Sequence, residues 1–207
     1  MKKLLAKLGM IAAMSLTFAV SASAVTIVTN PTGSEFLNTP PPGVEGFAFT
    51  TGSSAVSINQ LGVYDFGNNG LDADHTISLF NSAGTLLASA IVFSGGSATP
   101  DSFQWSTLFP AITLQANTQY VLGASYGDND PDHFLYGTAT LPTGFTLDGA
   151  VYADQNGNPS AFPDTFFGPG GFFGPNARLV PDGGSAVALL GFGLAGIEIL
   201  RRKLRSS

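Results

Sequence analysis

Asp128, Asp130 and Asp132 recur at every second position of Asp128-Asn129-Asp130-Pro131-Asp132-His133. Closely spaced carboxylates on a flexible loop are the donors that calcium takes. The spacing copies the start of an EF-hand, which needs Gly at its sixth position and Glu at its twelfth. His133 and Ala139 stand there, so an EF-hand is excluded. An irregular Ca2+ site on Asp128, Asp130 and Asp132 remains open beside the plainer reading of a solvated acidic loop. Asp72, Asp74 and His75 form a second cluster, just before a strand-like run. Asp154-Gln155-Asn156-Gly157-Asn158 is a third, and its Asn and Gly residues equally well make turns.

Catalytic chemistry has little to draw on. His75 and His133 are the two histidines, and cysteine is absent, which removes thiolate nucleophiles and thiolate metal sites. No zinc helix, H-E-x-x-H, occurs. Gly123-Ala124-Ser125-Tyr126-Gly127 spells G-x-S-x-G, but it ends a strand-like run with no helical period after it, and a nucleophile elbow needs a strand-to-helix turn. Paired-carboxylate chemistry depends on separations that only the fold can set. The chain is therefore expected to be no enzyme, with no catalytic residue. A hydrolase would need a cleft in which His75 or His133 meets carboxylates. Trp105 and the tyrosines could stack on sugars, but Trp105 sits beside Phe103 in a strand-like run and is expected to face the core.

These residues must be carried by short β-type runs separated by turn clusters. Gly46–Thr50, Val56–Asp65, His75–Phe80 and Thr85–Phe93 come first, with Asn81–Gly84 as a hairpin loop. Phe103–Leu108, Ala111–Leu114, Asn117–Tyr126, Phe134–Thr138, Phe145–Val151 and Ala177–Val180 follow. The run at Asn117–Tyr126 reads most clearly as a central strand. No helical period is sustained between 46 and 180. The expectation is an all-β fold, an antiparallel β-sandwich of jelly-roll-like form. Phe162, Phe166, Phe167, Phe172 and Phe173 lie among Gly and Pro, and are expected to form a long loop over the sandwich or a cover for a strand edge. An exposed binding strip is the alternative. Residues 25–45, with three successive prolines, are expected to be irregular.

The ends differ from the middle. Lys2, Lys3 and Lys7 precede an uncharged apolar stretch, Leu8–Val20, and Ala22-Ser23-Ala24 suits cleavage. Residues 1–24 thus read as a helical signal peptide, with a mature start at Val25. Residues 46–180 read as the sandwich domain. Between 25 and 180 there are twelve acidic side chains and one basic, Arg178, a formal charge of −11 against −6 for the whole chain. Such a surface repels phosphate backbones, so no nucleic-acid partner is expected. Residues 181–207 hold an apolar run, Ser185–Leu200, of about 16 residues, short of the roughly 20 that span a bilayer core. Gly191, Gly193 and Gly196 would let a helix there pack closely on a membrane partner. Arg201, Arg202, Lys203 and Arg205 supply a basic end that would stay on the cytoplasmic side.

Val180-Pro181-Asp182-Gly183-Gly184, the apolar run and the basic end together resemble a PEP-CTERM sorting signal in a V-P-D-G-G variant form. The usual motif of that family is Pro-Glu-Pro. The resemblance implies recognition by exosortase, a transmembrane transpeptidase that reads the motif, the helix and the arginine-rich end. It continues inward over roughly 44–180: L-G-V-Y-D-F-G at 61–67, I-T-L-x-A-N-T-x-Y-V-L-G at 112–123 and F-G-P-N-A-R-L at 173–179 are similar to a β-sandwich domain common in such proteins, whose molecular role is unassigned. The expected function is that of an exported structural or interaction protein of the cell surface or extracellular matrix, held transiently in the membrane before processing. A carbohydrate-binding module, Ca2+-assisted, with matrix polysaccharide as partner, is the second reading. A hydrolase is the third.

Overall fold

Side chains that alternate between apolar and polar can bury one face only as strands. The computed structural model describes residues 25–36, 42–128 and 130–180, and every regular element there is a strand. In chain order they are β1 (Val25–Thr26), β2 (Thr29–Phe36), β3 (Gly43–Thr50), β4 (Val56–Tyr64), β5 (His75–Asn81), β6 (Leu86–Val92) and β7 (Phe103–Leu114). The remainder are β8 (Gln119–Tyr126), β9 (Phe134–Thr140), β10 (Thr146–Asp154), β11 (Thr165–Gly168), β12 (Gly171–Phe173) and β13 (Pro175–Leu179). They form a four-stranded sheet ordered β1-β13-β4-β7, a six-stranded sheet ordered β11-β10-β3-β8-β5-β6 and a three-stranded sheet ordered β12-β9-β2. All pairings are antiparallel.

Ile58, Leu61 and Val63 of β4 share one buried cluster with Phe47 and Phe49 of β3, Ile77 and Leu79 of β5 and Leu122 of β8. The four- and six-stranded sheets thus face each other as an antiparallel sandwich, each such side chain contributing roughly 1.5–3 kcal/mol of burial. The three-stranded sheet adds Phe134, Leu135, Phe172 and Phe173 to the same cluster. β8 is central in the six-stranded sheet, as its sequence led one to expect.

Residues 25–45 are a correction. Their described part carries β1, β2 and the start of β3, and Ile27 and Val28 are buried. β2 has no apolar alternation because its residues lie almost wholly at the surface. It is held through its backbone ladder to β9, and Pro31 falls where that register shifts, between Thr29 and Thr32. The two runs at Phe103–Leu108 and Ala111–Leu114 are likewise one strand, β7. Its register to β4 shifts between the partners of Ile58 and Gln60, and the Phe109–Pro110 peptide bond in the intervening bulge is cis.

The phenylalanine-rich segment divides its work. Phe162 covers the outer face of the six-stranded sheet, packed on Ala48, Phe80, Val121 and Val151, with its ring 5.3 Å from that of Phe80. The approach is close: a Cβ on Gly123 of β8 would meet Pro163 Cγ at 3.2 Å. Phe166 and Phe167 lie on the edge strand β11 and are exposed, while Phe172 and Phe173 of β12 are buried. Phe162 thus lies over the sandwich as expected, while Phe166, Phe167, Phe172 and Phe173 correct the expected loop: they stand in strands, because β11 extends the six-stranded sheet beside β10 and β12 pairs with β9. The folded unit closes at Val180, whose N–H donates to Ser57 O at 2.7 Å. The expected helices over 1–24 and 181–207 lie outside the described residues.

Candidate functional site

The start of β5, the end of β8 and the loop between β8 and β9 converge on His75. Its ring is fully buried, with Nε2 2.9 Å from Asp132 Oδ2 and Nδ1 2.7 Å from Ser125 O. Both partners are acceptors. A neutral imidazole would turn a lone pair toward one of them, so the geometry calls for an imidazolium donating from both nitrogens. Burial works against that charge. The bonds to Asp132 and to the Ser125 carbonyl, with the negative charges of Asp130 and Asp132, outweigh it and raise the His75 pKa above the ordinary imidazole range.

Asp132 is the hub. Its oxygens also accept the Asp72 N–H at 3.1 and 3.0 Å and the Ala73 N–H at 2.9 Å. Burial would push its pKa up, yet the bonds from His75, Ala73 and Asp72 hold it below the usual carboxylate range. Asp130 shapes the loop itself, accepting Gly127 N–H at 2.9 Å and Asp132 N–H at 3.0 Å. Tyr126 packs against the imidazole with ring centroids 4.9 Å apart. Burial, followed by the charges of Asp130, Asp132 and Glu45, keeps its phenol protonated.

Of the sequence candidates, Asp130 and Asp132 come together and Asp128 does not. Asp128 is exposed, and His75 from the second cluster takes its place. One ligand atom each from His75, Asp130 and Asp132 lie within 4.8 Å of one another. An imidazole with two carboxylates suits zinc or manganese better than calcium, which prefers an all-oxygen shell. The carboxylate oxygens are, moreover, already turned to donors within the chain. Asp72 contributes its backbone, and Asp74 caps the end of β6 by accepting Ser94 N–H at 2.7 Å. His133 stacks on Phe66 at 5.1 Å, with Nδ1 3.7 Å from Glu35 Oε2. Asp154 and Asn156 line a shallow open cleft with Tyr152, Phe162 and Asp164.

Two features escape a reading of motifs. Glu45 alternates with Phe47 and Phe49 and so shares their inward face; it is 8% exposed. Burial, with the charge of Asp154, pushes its pKa up to about 7. The period-two pattern itself carries that signal, because it places a carboxyl in an apolar row. Arg178, the lone basic side chain of the domain, lies over Trp105 at 4.2 Å and pairs with Asp101 at 2.7 Å. Burial raises the Asp101 pKa, and the bonds from Arg178 and Trp105 overturn this and lower it. Trp105 packs on the core cluster as expected, but it is only half-buried, and a guanidinium covers its ring.

Replacing His75 with Gln should lower the unfolding free energy by about 3 kcal/mol in urea melts, since a buried charge loses its partner. The His75 contribution is complete below the ordinary imidazole pKa, about 6.5, and disappears as pH rises through the raised folded value. The Asp132 contribution is complete above about 3.9 and is lost as pH falls through its lowered value. An unchanged difference between wild type and His75→Gln from mildly acid to alkaline pH would contradict the imidazolium. Glu45 has the opposite sense: its raised pKa makes folding less favourable as pH climbs from about 4.3 toward 7. Glu45→Gln should therefore stabilise by roughly 2–3 kcal/mol above neutrality and by almost nothing at pH 4, as thermal melts at the two pH values would show.

Residues 180–204 match the VPDSG-CTERM motif, with Gly183 where that name has serine. The motif marks an exported, surface-associated protein of PEP-CTERM type and implies processing by an exosortase-like enzyme. No curated protein matches the chain. Residues 32–172, the greater part of the chain and nearly all of the described strands, match the model for a domain of unknown function, DUF4082. The chain belongs to the DUF4082 family.

Proposed function

We propose that this chain is a structural or interaction protein of the cell surface or extracellular matrix, without enzymatic activity, released from a transient membrane-held state by an exosortase-like transpeptidase. The observation that carries the reading is the place of the sorting motif. Its match opens at Val180, the residue at which the folded unit closes. A cut downstream of Val180 spares every strand among the described residues. Two facts support the absence of catalysis. His75 has both nitrogens engaged and no exposed surface. Among the described residues, no hydroxyl side chain bonds to either imidazole ring. In a host with an exosortase system, the surface protein should have lost the C-terminal mass downstream of the motif, and Pro181→Ala with Asp182→Ala should leave it intact in the membrane fraction. A full-length C-terminus on the wild-type surface protein would sink the proposal.

One observation favours polysaccharide as the interaction partner. Tyr152, Phe166 and Phe167 are exposed, and the shallow cleft beside Tyr152 offers Asp154, Asn156 and Asp164. Aromatic faces with nearby hydrogen-bonding groups suit sugar rings, and a formal charge of −11 on the domain directs the choice toward a neutral polymer. Retention on an insoluble neutral glucan should fall about tenfold in Tyr152→Ala or Phe166→Ala, the loss of one strong contact. Equal retention of wild type and both variants would dismiss the cleft.

A further inference from the structure

β6 is an edge strand. It pairs with β5; among the described residues no strand is hydrogen-bonded to its other side, beside which β7 of the facing sheet packs. Natural edges are blunted by charge, proline, bulges or a covering segment. Leu86-Leu87-Ala88-Ser89-Ala90-Ile91-Val92 has neither charge nor proline; its ladder to β5 is regular from His75 to Leu79, and its one register shift falls at Leu87, near the start of the strand. Ala88, Ala90 and Val92 turn inward to the core. Ser89 and Ile91 form the opposite row, which Phe93 extends; Ile91 is 47% and Phe93 69% exposed, and the Ser89 hydroxyl donates to Ile77 O at 3.2 Å beside those of Ser78 and Ser160.

Charge points to the occupant. Between Asp74 and Asp128 the sequence holds one Asp, Glu, Lys or Arg, and this is Asp101, neutralised by Arg178 at 2.7 Å. That interval supplies β5, β6, β7 and β8, so the β6 edge belongs to an electrically quiet part of a domain with formal charge −11. Two such domains repel one another over most of their surfaces. The β6 edge lets them approach without opposing carboxylates.

We propose that β6 pairs antiparallel with β6 of a second copy of this chain, about a two-fold axis at Ser89, joining two six-stranded sheets into one. This register keeps to the regular stretch of the ladder and sets Ala88 opposite Ala90 on the inner face, so the strand complements itself. Two Ser89 side chains then face each other across the axis, at about 4.5–5.5 Å between Cβ atoms, close to disulfide reach.

The absence of native cysteine makes the test clean. Ser89→Cys, oxidised in air, should run as a disulfide-linked dimer of twice the monomer mass on non-reducing gels. Thr107→Cys, on the open edge strand β7, should remain monomeric under the same conditions. By light scattering, residues 25–180 should be dimeric and Ile91→Lys monomeric, with the same far-ultraviolet circular dichroism. Both forms should be run beside the processed protein from the host surface. Cross-linking through Thr107→Cys alone would place the contact on β7 and overturn the proposal. A wild-type domain that stays monomeric at the highest concentration reached would overturn it too. Dimeric residues 25–180 with a monomeric intact chain would show that the chain's own ends, and not a second copy, occupy the edge.

Discussion

The buried ion pair between His75 and Asp132 is the constraint around which the rest is arranged. Through one imidazolium and one carboxylate it joins the first residue of β5, the carbonyl of Ser125 near the end of β8, the backbone at Asp72 and Ala73, and the loop that leads into β9. That loop carries the chain from the six-stranded sheet to the three-stranded one. A sandwich needs its chain to leave one sheet and enter another without exposing unpaired backbone at the crossing. Here charge-assisted bonds supply what an apolar residue could not. A hydrophobic replacement for His75 would fill the space and leave the Ser125 carbonyl and the Asp132 carboxylate without donors.

Glu45 and His75 share a proton preference inside one domain. The first folds best with its proton on, and so does the second, but one gains neutrality and the other charge. Asp132 gains by losing its proton. The Asp132 contribution is complete above about 3.9 and the Glu45 cost begins above about 4.3, so the three preferences are best reconciled at about pH 4.

The architecture was legible because alternation is a strong signal where a strand buries one face: β3, β4, β5, β6 and β8 follow directly from it. β2 was not, since it is exposed on both sides and lives by backbone pairing, which leaves no mark on composition. β11 and β12 were hidden by Gly and Pro, although their phenylalanines were visible. The acidic loop was found, and its role could not be. Asp132 and His75 are 57 positions apart, and nothing local in either cluster names the other as its partner. Asp128, the most accessible member of the run, was read with the same weight as two neighbours that are buried. The period of two places Asp128, Asp130 and Asp132 alike, and only the turn that Asp130 makes with Gly127 and Asp132 separates them.

β13 is the last strand among the described residues, yet it lies inside its sheet, between β1 and β4. The sorting motif opens one residue after it. There is no spacer, so the domain cannot complete its four-stranded sheet until the chain has been delivered almost to the motif. A cut made a few residues early would remove an interior strand, together with Arg178 and its cover over Trp105. The sorting motif thus begins where the fold ends, and the last residues of the domain serve both the sheet and the approach to the motif.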